Sequence, residues 1–177
     1  MGNIKVISKA NEKDFIKIRD LYWKVIDAME GTPYDIWWRK GVHPSEAMIM
    51  NATARGELYI LKEEDEVLGA FILNHEQNAG YKDVKWSSGA FASKALALHL
   101  LCTAPERRGQ GLGKTLLAGA FEIGKKEGMA AVRLDVLIND LPAHALYEAM
   151  GFTLQGKKIL TYPEGGAAEF YLYEKIL

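Results

Sequence analysis

The stretch Arg107-Arg108-Gly109-Gln110-Gly111-Leu112-Gly113-Lys114-Thr115 places three glycines at alternate positions among three cations. Where such a loop joins a strand to a helix, glycine lets the backbone come close to an anion. The first helix N–H groups, which have no partner inside the helix, then point at it. Cations at the positive end of a helix dipole are unfavourable by roughly 0.3–1 kcal/mol each. A bound anion accounts for Arg107, Arg108 and Lys114; a glycine turn with solvated arginines is the alternative. Two nucleotide patterns miss by one residue. The pattern G-x-x-x-x-G-K-[ST] ends correctly on Gly113-Lys114-Thr115, but its first glycine falls on Arg108, and G-x-G-x-x-G puts its third glycine on Lys114. A nucleotide-binding enzyme with a P-loop-like turn therefore stays a secondary reading.

The elements around the loop follow from periodicity. Ile4 to Ile7 reads as a strand. Asn11 with Asp14 reads as the cap of a helix carrying Phe15, Ile18, Tyr22, Val25 and Met29 on one face, stopped by Gly31-Thr32-Pro33. A second helical region is expected over residues 34–54, broken near Gly41 and Pro44. Strands at 58–61 and 67–73 flank the acidic turn Glu63-Glu64-Asp65, and a polar loop over 74–94 follows. Ala95 to Thr103 is a mostly apolar strand running into the glycine loop. From about Leu112 a helix carries Leu116, Ala120 and Ile123 and ends at Gly128. Val132, Leu134 and Val136 alternate on a strand, Asp140 to Met150 is a short helix, and strands at 152–161 and 169–176 close the chain. Helices and strands mixed in this way predict a single α+β (mixed α/β) domain over residues 1–177 with a mixed sheet.

Two segments carry a family resemblance. Arg108-Gly109-Gln110-Gly111-Leu112-Gly113 fits the [QR]-x-x-G-x-[GA] loop of the GNAT superfamily of N-acetyltransferases, and Leu101-Cys102-Thr103-Ala104-Pro105 precedes it as the strand and proline do there. Ala143-His144-Ala145-Leu146-Tyr147-Glu148-Ala149-Met150-Gly151-Phe152 is similar to that family's A-x-x-L-Y-E-x-x-G-F segment. The resemblance implies a mixed, mostly antiparallel central sheet flanked by helices. It implies an acetyl-CoA-dependent N-acetyltransferase acting on a primary amine of a small molecule or peptide, with a non-catalytic acyl-CoA-binding module as the alternative. It also implies a cofactor site. The pyrophosphate is expected on Arg108, Gly109, Gln110, Gly111, Leu112, Gly113 and Lys114, and the pantetheine arm on the backbone of Leu101, Cys102 and Thr103. Many members have asparagine three residues before the alanine of the second motif. Here Asp140 stands there, with Asn139 one residue earlier, so Asp140 is expected at the cofactor as well as capping its helix.

Acetyl transfer needs a proton acceptor, because an amine of pKa about 10.4 is neutral only on the order of once in a few thousand molecules at pH 7. It also needs a donor to the leaving thiolate. The resemblance assigns the donor to Tyr147, which is expected at the cofactor too; a tyrosine closing its helix onto the core is the alternative. His99, with an imidazole pKa of about 6.5, is the candidate acceptor, set against a packed core histidine. Asp135 is a second candidate, and a water chain a third. Cys102 has no acid or histidine partner fixed by spacing and reads as a buried thiol. Tyr34, Trp37, Trp38, His43 and Trp86 are candidates for an aromatic acceptor pocket.

Composition narrows the rest. The 177 residues carry 22 Lys plus Arg against 23 Asp plus Glu, a balance that argues against a nucleic-acid surface. One cysteine excludes an internal disulfide, the four histidines lack ligand spacing, and no metal is expected. No apolar run reaches about 18 residues and no signal-peptide core is visible, so the expectation is a cytoplasmic protein without membrane partners. Members of the family often form homodimers, but no dimer seam is legible.

Overall fold

The computed structural model describes residues 4–163 and 165–177. Strand β1 (Lys5–Lys9) leads to the expected cap. Asn11 Oδ1 accepts from the Lys13 N–H at 3.0 Å, and Asp14 Oδ2 accepts from the Asn11 N–H at 3.0 Å. This reciprocal arrangement satisfies donors that the start of a helix leaves unpaired. Helix α1 (Phe15–Met29) then buries Ile18, Leu21, Tyr22, Val25 and Ile26, one face at three-and-four spacing.

The second helical region is shorter than the periodicity predicts. Helix α2 spans only Glu46–Ala54, with Ser45 Oγ accepting from the Met48 N–H at 3.2 Å. Residues 30–45 run as turns instead. Trp37 (φ 61°) and Gly41 (φ 73°) take the chain through left-handed conformations that no α-helix contains. Asp35 ties this segment together, accepting from the Trp37 N–H at 2.7 Å and from both terminal nitrogens of Arg39 at 3.0 Å.

Strands β2 (Leu58–Glu63) and β3 (Glu66–Asn74) form the expected hairpin, followed by β4 (Ala95–Thr103), helix α3 (Leu112–Lys126) and β5 (Ala131–Leu137). Helix α4 (Leu141–Ala149) and the hairpin of β6 (Thr153–Tyr162) and β7 (Gly166–Ile176) complete the chain. The seven strands make one sheet in the order β1-β2-β3-β4-β5-β7-β6; β4 and β5 run parallel, and the other neighbours antiparallel. Helices cover both faces. Ile18, Tyr22 and Ile49 pack with Leu58, Ile60, Ala70 and Cys102 on one side. Leu116, Leu117, Phe121 and Tyr147 pack with Leu61, Leu68, Phe71 and Tyr173 on the other. Alternate residues of β2 and β3 thus serve opposite cores, which is why both strands read as unbroken apolar runs.

The centre of the sheet is split. Strand β4 pairs with β5 only through Ala95–Ala97 against Ala131–Arg133. Beyond that, β4 stays on β3 through a bulge in which Leu100 takes φ 51°, while β5 stays on β7 as far as Leu137. The two strands diverge, and the gap between them is the cleft described below.

A buried ion pair holds the long loop against this sheet. Arg133 and Glu174 are cross-strand partners, each 1% exposed, with Nε donating to Oε2 at 2.9 Å. Arg133 also donates to the Ala90 carbonyl at 2.7 Å, and the Trp86 ring lies 4.3 Å from the guanidinium. Ser88 donates to Glu174 from its N–H and its hydroxyl at 2.7 and 2.8 Å. Removing one member strands a buried charge. Arg133→Ala is therefore expected to cost about 3–5 kcal/mol in urea denaturation, and Arg133→Met with Glu174→Leu to recover most of that loss. Equal destabilisation in the single and double variants would rule this account out.

Candidate functional site

The divergence of β4 and β5 opens a cavity of about 1000 Å³. It extends from the start of α3, along residues 101–103 of β4, past Asp135 and Tyr147, to walls that include Trp37, Trp38 and the β6–β7 hairpin. Ladder alternation decides which backbone groups face it. The Ala104 N–H donates to the Leu68 carbonyl and Cys102 pairs with Ala70, so these residues turn their peptide groups to β3. Leu101 and Thr103 turn theirs to the side where β5 has departed. The Cys102 side chain is buried in the core beneath α1, and that burial pushes its thiol far above the ordinary range. Such a thiol is no nucleophile at neutral pH.

The glycine loop has the form of an anion site. Gly109 (φ 79°) and Gly111 (φ 73°) are left-handed, and a Cβ added at either would meet open space. Gly111 is the N-cap of α3 and offers no side-chain acceptor. The Thr115 N–H makes the first bond back, to the Gly111 carbonyl at 3.0 Å, so the N–H groups of Leu112, Gly113 and Lys114 lie outside the helical ladder. Gly113 has a packing role besides: a Cβ there would stand 2.8 Å from Leu146 Cδ2, so its absence lets α3 and α4 approach. The three cations do not act alike. Arg107 is ion-paired with Glu63 of β2 and tethers the loop, whereas Arg108 and Lys114 are exposed at the cavity. Leu112 lines the cavity while anchored in the core; Gln110 is exposed and does not line it.

The opposite end of the cleft gathers the groups that can move protons. Tyr147 projects from α4 with its ring against Phe152 at 5.5 Å and Tyr173 at 6.2 Å, so it is both a core residue and a wall of the cavity. Burial, with the charges of Asp140 and Asp135 added, holds its phenol above the usual range and therefore protonated. Asp135 Oδ2 accepts from the hydroxyls of Tyr81 and Tyr162, at 2.6 Å each. Burial pushes its carboxyl above the ordinary carboxylate range, against the pull of those hydroxyls and of His99. His99 is half-buried on β4, with Nε2 at 3.2 Å from Asn74 Oδ1. Burial lowers its pKa, the Asp135 charge opposes that, and the imidazole is neutral at pH 7.

Asp140 and Asn139 divide two tasks. Asp140 caps α4, accepting from the Ala143 N–H at 3.2 Å, and lines the cavity; burial raises its carboxyl pKa. Asn139 instead donates to the Asp35 carbonyl at 3.2 Å and anchors the turns of residues 30–45 beside the cleft. Of the aromatic candidates, Trp37, Trp38 and His43 line the cavity, whereas Tyr34 does not and Trp86 is committed to Arg133. Tyr81 and Tyr162, which hold Asp135, were not readable as site residues. They stand 54 and 27 positions from it, in the polar loop and at the end of β6, and no spacing connects them. Among the described residues, no group of three or more His, Cys, Asp or Glu could hold a metal, and no helix is long and apolar enough to cross a membrane.

Comparison with known proteins agrees with this architecture. A solved acetyltransferase of the GNAT family from Streptococcus agalactiae superposes with a TM-score of 0.81 at 20% identity, over 98% of this chain and 95% of that one. The PaiA N-acetyltransferase from Thermoplasma acidophilum, solved in complex with coenzyme A, gives 0.69 at 20% identity over 98% and 99%. At these identities the likeness concerns the fold alone. A Mus musculus protein named Probable N-acetyltransferase family 8 member 5 is 36% identical over 64 residues, or 36% of this chain and 28% of that protein. The matches to curated relatives thus span less than half of those proteins' lengths. The family model described as Acetyltransferase (GNAT) family matches residues 14–152, most of the chain and every wall of the cleft but the β6–β7 hairpin. The chain belongs to the acetyltransferase (GNAT) family.

Proposed function

We propose that this protein transfers the acetyl group of acetyl-CoA to a primary amine of a small molecule or peptide. The observation that carries the reading is the split between β4 and β5, which joins an uncapped, glycine-lined helix start to a cluster of proton-transfer groups in one cavity. A pyrophosphate suits the N–H groups at the start of α3, with Arg108 and Lys114 beside them, and the Leu101 carbonyl and the peptide groups of Thr103 suit the amides of a pantetheine arm. The coenzyme A bound by the Thermoplasma acidophilum relative supports the same occupant here. Acetyl-CoA supplies an activated acyl group on a thiol leaving group. His99, neutral at pH 7, takes the proton of the incoming ammonium, and the Asp135 carboxylate stabilises the resulting imidazolium. As the C–N bond forms and the C–S bond breaks, Tyr147 donates its phenolic proton to the departing thiolate sulfur, and the second proton lost by the amine nitrogen restores the phenol. Trp37 and Trp38 line the part of the cavity open to the amine and offer it aromatic walls.

Acetyl-CoA is expected to raise the melting temperature, corresponding to about 2.7 kcal/mol at a hundredfold excess over Kd, whereas free acetate and ATP with magnesium leave it unchanged. In Gly111→Val the acetyl-CoA shift should disappear, since the new side chain fills the open approach to the α3 N–H groups. Thermal scans with calorimetric titration read both. Tight binding by the Val variant would reduce the loop to a turn.

Tyr147→Phe keeps the ring that packs on Phe152 and should bind acetyl-CoA normally, with kcat reduced roughly 10²–10⁴-fold. Steady-state rates on an accepted amine decide this; full kcat in the Phe variant, with chemistry rate-limiting, removes Tyr147 from proton transfer.

The pH profile tests the acceptor. A base must be unprotonated, so kcat should decline as pH falls through the pKa of His99 in the bound complex. Burial lowers that pKa, and the decline is expected below the ordinary imidazole value of about 6.5. His99→Gln should lower kcat and abolish this limb. A limb unchanged in the Gln variant assigns the proton elsewhere.

A further inference from the structure

Tyr22 is fully buried on α1 and donates its hydroxyl to the Leu100 carbonyl at 2.9 Å, across 78 positions of sequence. Its partner is an unusual one. Leu100 is the bulged residue of β4, held at φ 51°, a conformation that a branched L side chain adopts only where its surroundings enforce it. The Leu100 carbonyl is turned toward α1, where it accepts from the Tyr22 hydroxyl. The Trp38 ring, which lines the cavity, packs edge-on against Tyr22 with centroids 5.8 Å apart.

The consequence lies on the other side of the same peptide unit. In a trans peptide the C=O and the following N–H point in opposite directions. Fixing the Leu100 carbonyl on Tyr22 therefore turns the Leu101 N–H away from α1, and Leu101 lines the cavity. A ligand anchored at the start of α3 and running along residues 103 and 101 reaches this N–H with its acyl end. Negative charge develops on the thioester oxygen during attack by the amine, and a fixed N–H donor stabilises it.

We propose that Tyr22 is a positioning residue for acetyl transfer: its hydroxyl holds the bulged Leu100–Leu101 peptide so that the Leu101 N–H is aimed at the thioester oxygen. The proposal rests on the acetyl-transfer reading of the cleft. Tyr22 does not line the cavity; it acts through the Leu100–Leu101 peptide bond to which its hydroxyl donates. The hydrogen bond also polarises that peptide and strengthens the N–H as a donor.

The test is infrared difference spectroscopy of acetyl-CoA, isotope-labelled at the acetyl carbonyl, bound to the full chain. Steady-state kinetics run in parallel. Wild-type protein should lower the carbonyl stretching frequency relative to acetyl-CoA in water. In Tyr22→Phe that shift should shrink toward the water value. The kcat should fall on the order of 10–10²-fold, less than outright loss of an oxyanion donor, while KM for acetyl-CoA stays within about twofold. Val25→Ala, one turn further along the same buried face of α1, loosens the same core while leaving the Tyr22 hydroxyl and its bond to the Leu100 carbonyl in place; it should lower the melting temperature and leave both frequency and kcat unchanged. If Tyr22→Phe does not fold, fluorotyrosine placed at position 22 with fluorine ortho to the hydroxyl keeps the ring and makes a stronger donor, and the shift should then grow. A full shift and full kcat in Tyr22→Phe, or no response to the fluorinated ring, overturns the role of Tyr22 while leaving acetyl transfer standing. Absence of acetyl-CoA binding or of a carbonyl shift in wild-type protein overturns both.

Discussion

A strand in the middle of a sheet presents peptide groups along both of its edges, and buried peptide groups need partners. Beyond Ala97, β4 meets this requirement on its β3 side alone, because β5 has turned away to follow β7. The open edge is tolerable only where water or a ligand completes it, and here it lines the cleft. Much of the chain serves to keep the split in place. The bulge at Leu100 bends β4, the β5–β7 pairing through Leu137 holds the other bank, and α3 begins at the end of the opening.

Charge is distributed along the split according to what each end handles. At the α3 end the dipole and the exposed Arg108 and Lys114 favour an anion, while Arg107 is diverted to Glu63 to hold the loop in register with β2. At the other end a desolvated carboxylate, Asp135, is kept in place by the hydroxyls of Tyr81 and Tyr162. Those tyrosines depend in turn on elements remote from the glycine loop. Tyr81 packs with Leu160 and Leu172 on the β6–β7 hairpin, and Trp86 beside it donates to the Tyr81 carbonyl at 3.0 Å while resting on Arg133. The buried Arg133–Glu174 pair is thus linked to Asp135 through Trp86 and Tyr81 of the loop it fastens.

Glycine serves two different ends within six residues. Gly109 and Gly111 are needed for their left-handed backbone and for the empty space beside them, whereas Gly113 is needed because Leu146 of α4 packs where a Cβ would project. One motif therefore specifies both the binding surface and the helix packing that brings Tyr147 to the cavity.

What the sequence determined by itself was local. The cap at Asn11 and Asp14, the apolar face of α1, the β2–β3 hairpin and the strand–glycine loop–helix all follow from interactions within a few residues, and each is present. Of the helical region expected over residues 34–54 with a break near Gly41 and Pro44, only the part beyond the break is helical, because left-handed turns at Trp37 and Gly41, stabilised by Asp35 and Arg39, occupy the first half. Tertiary structure alone decided the rest. Nothing local distinguishes Asp135 from a surface aspartate on an alternating strand until Tyr81 and Tyr162 arrive from other elements, nor Tyr22 from any core tyrosine until its hydroxyl meets the bulge in β4. Hydrogen bonds that span tens of residues leave no periodicity behind, because a single polar contact constrains one position on each element and not a pattern along either.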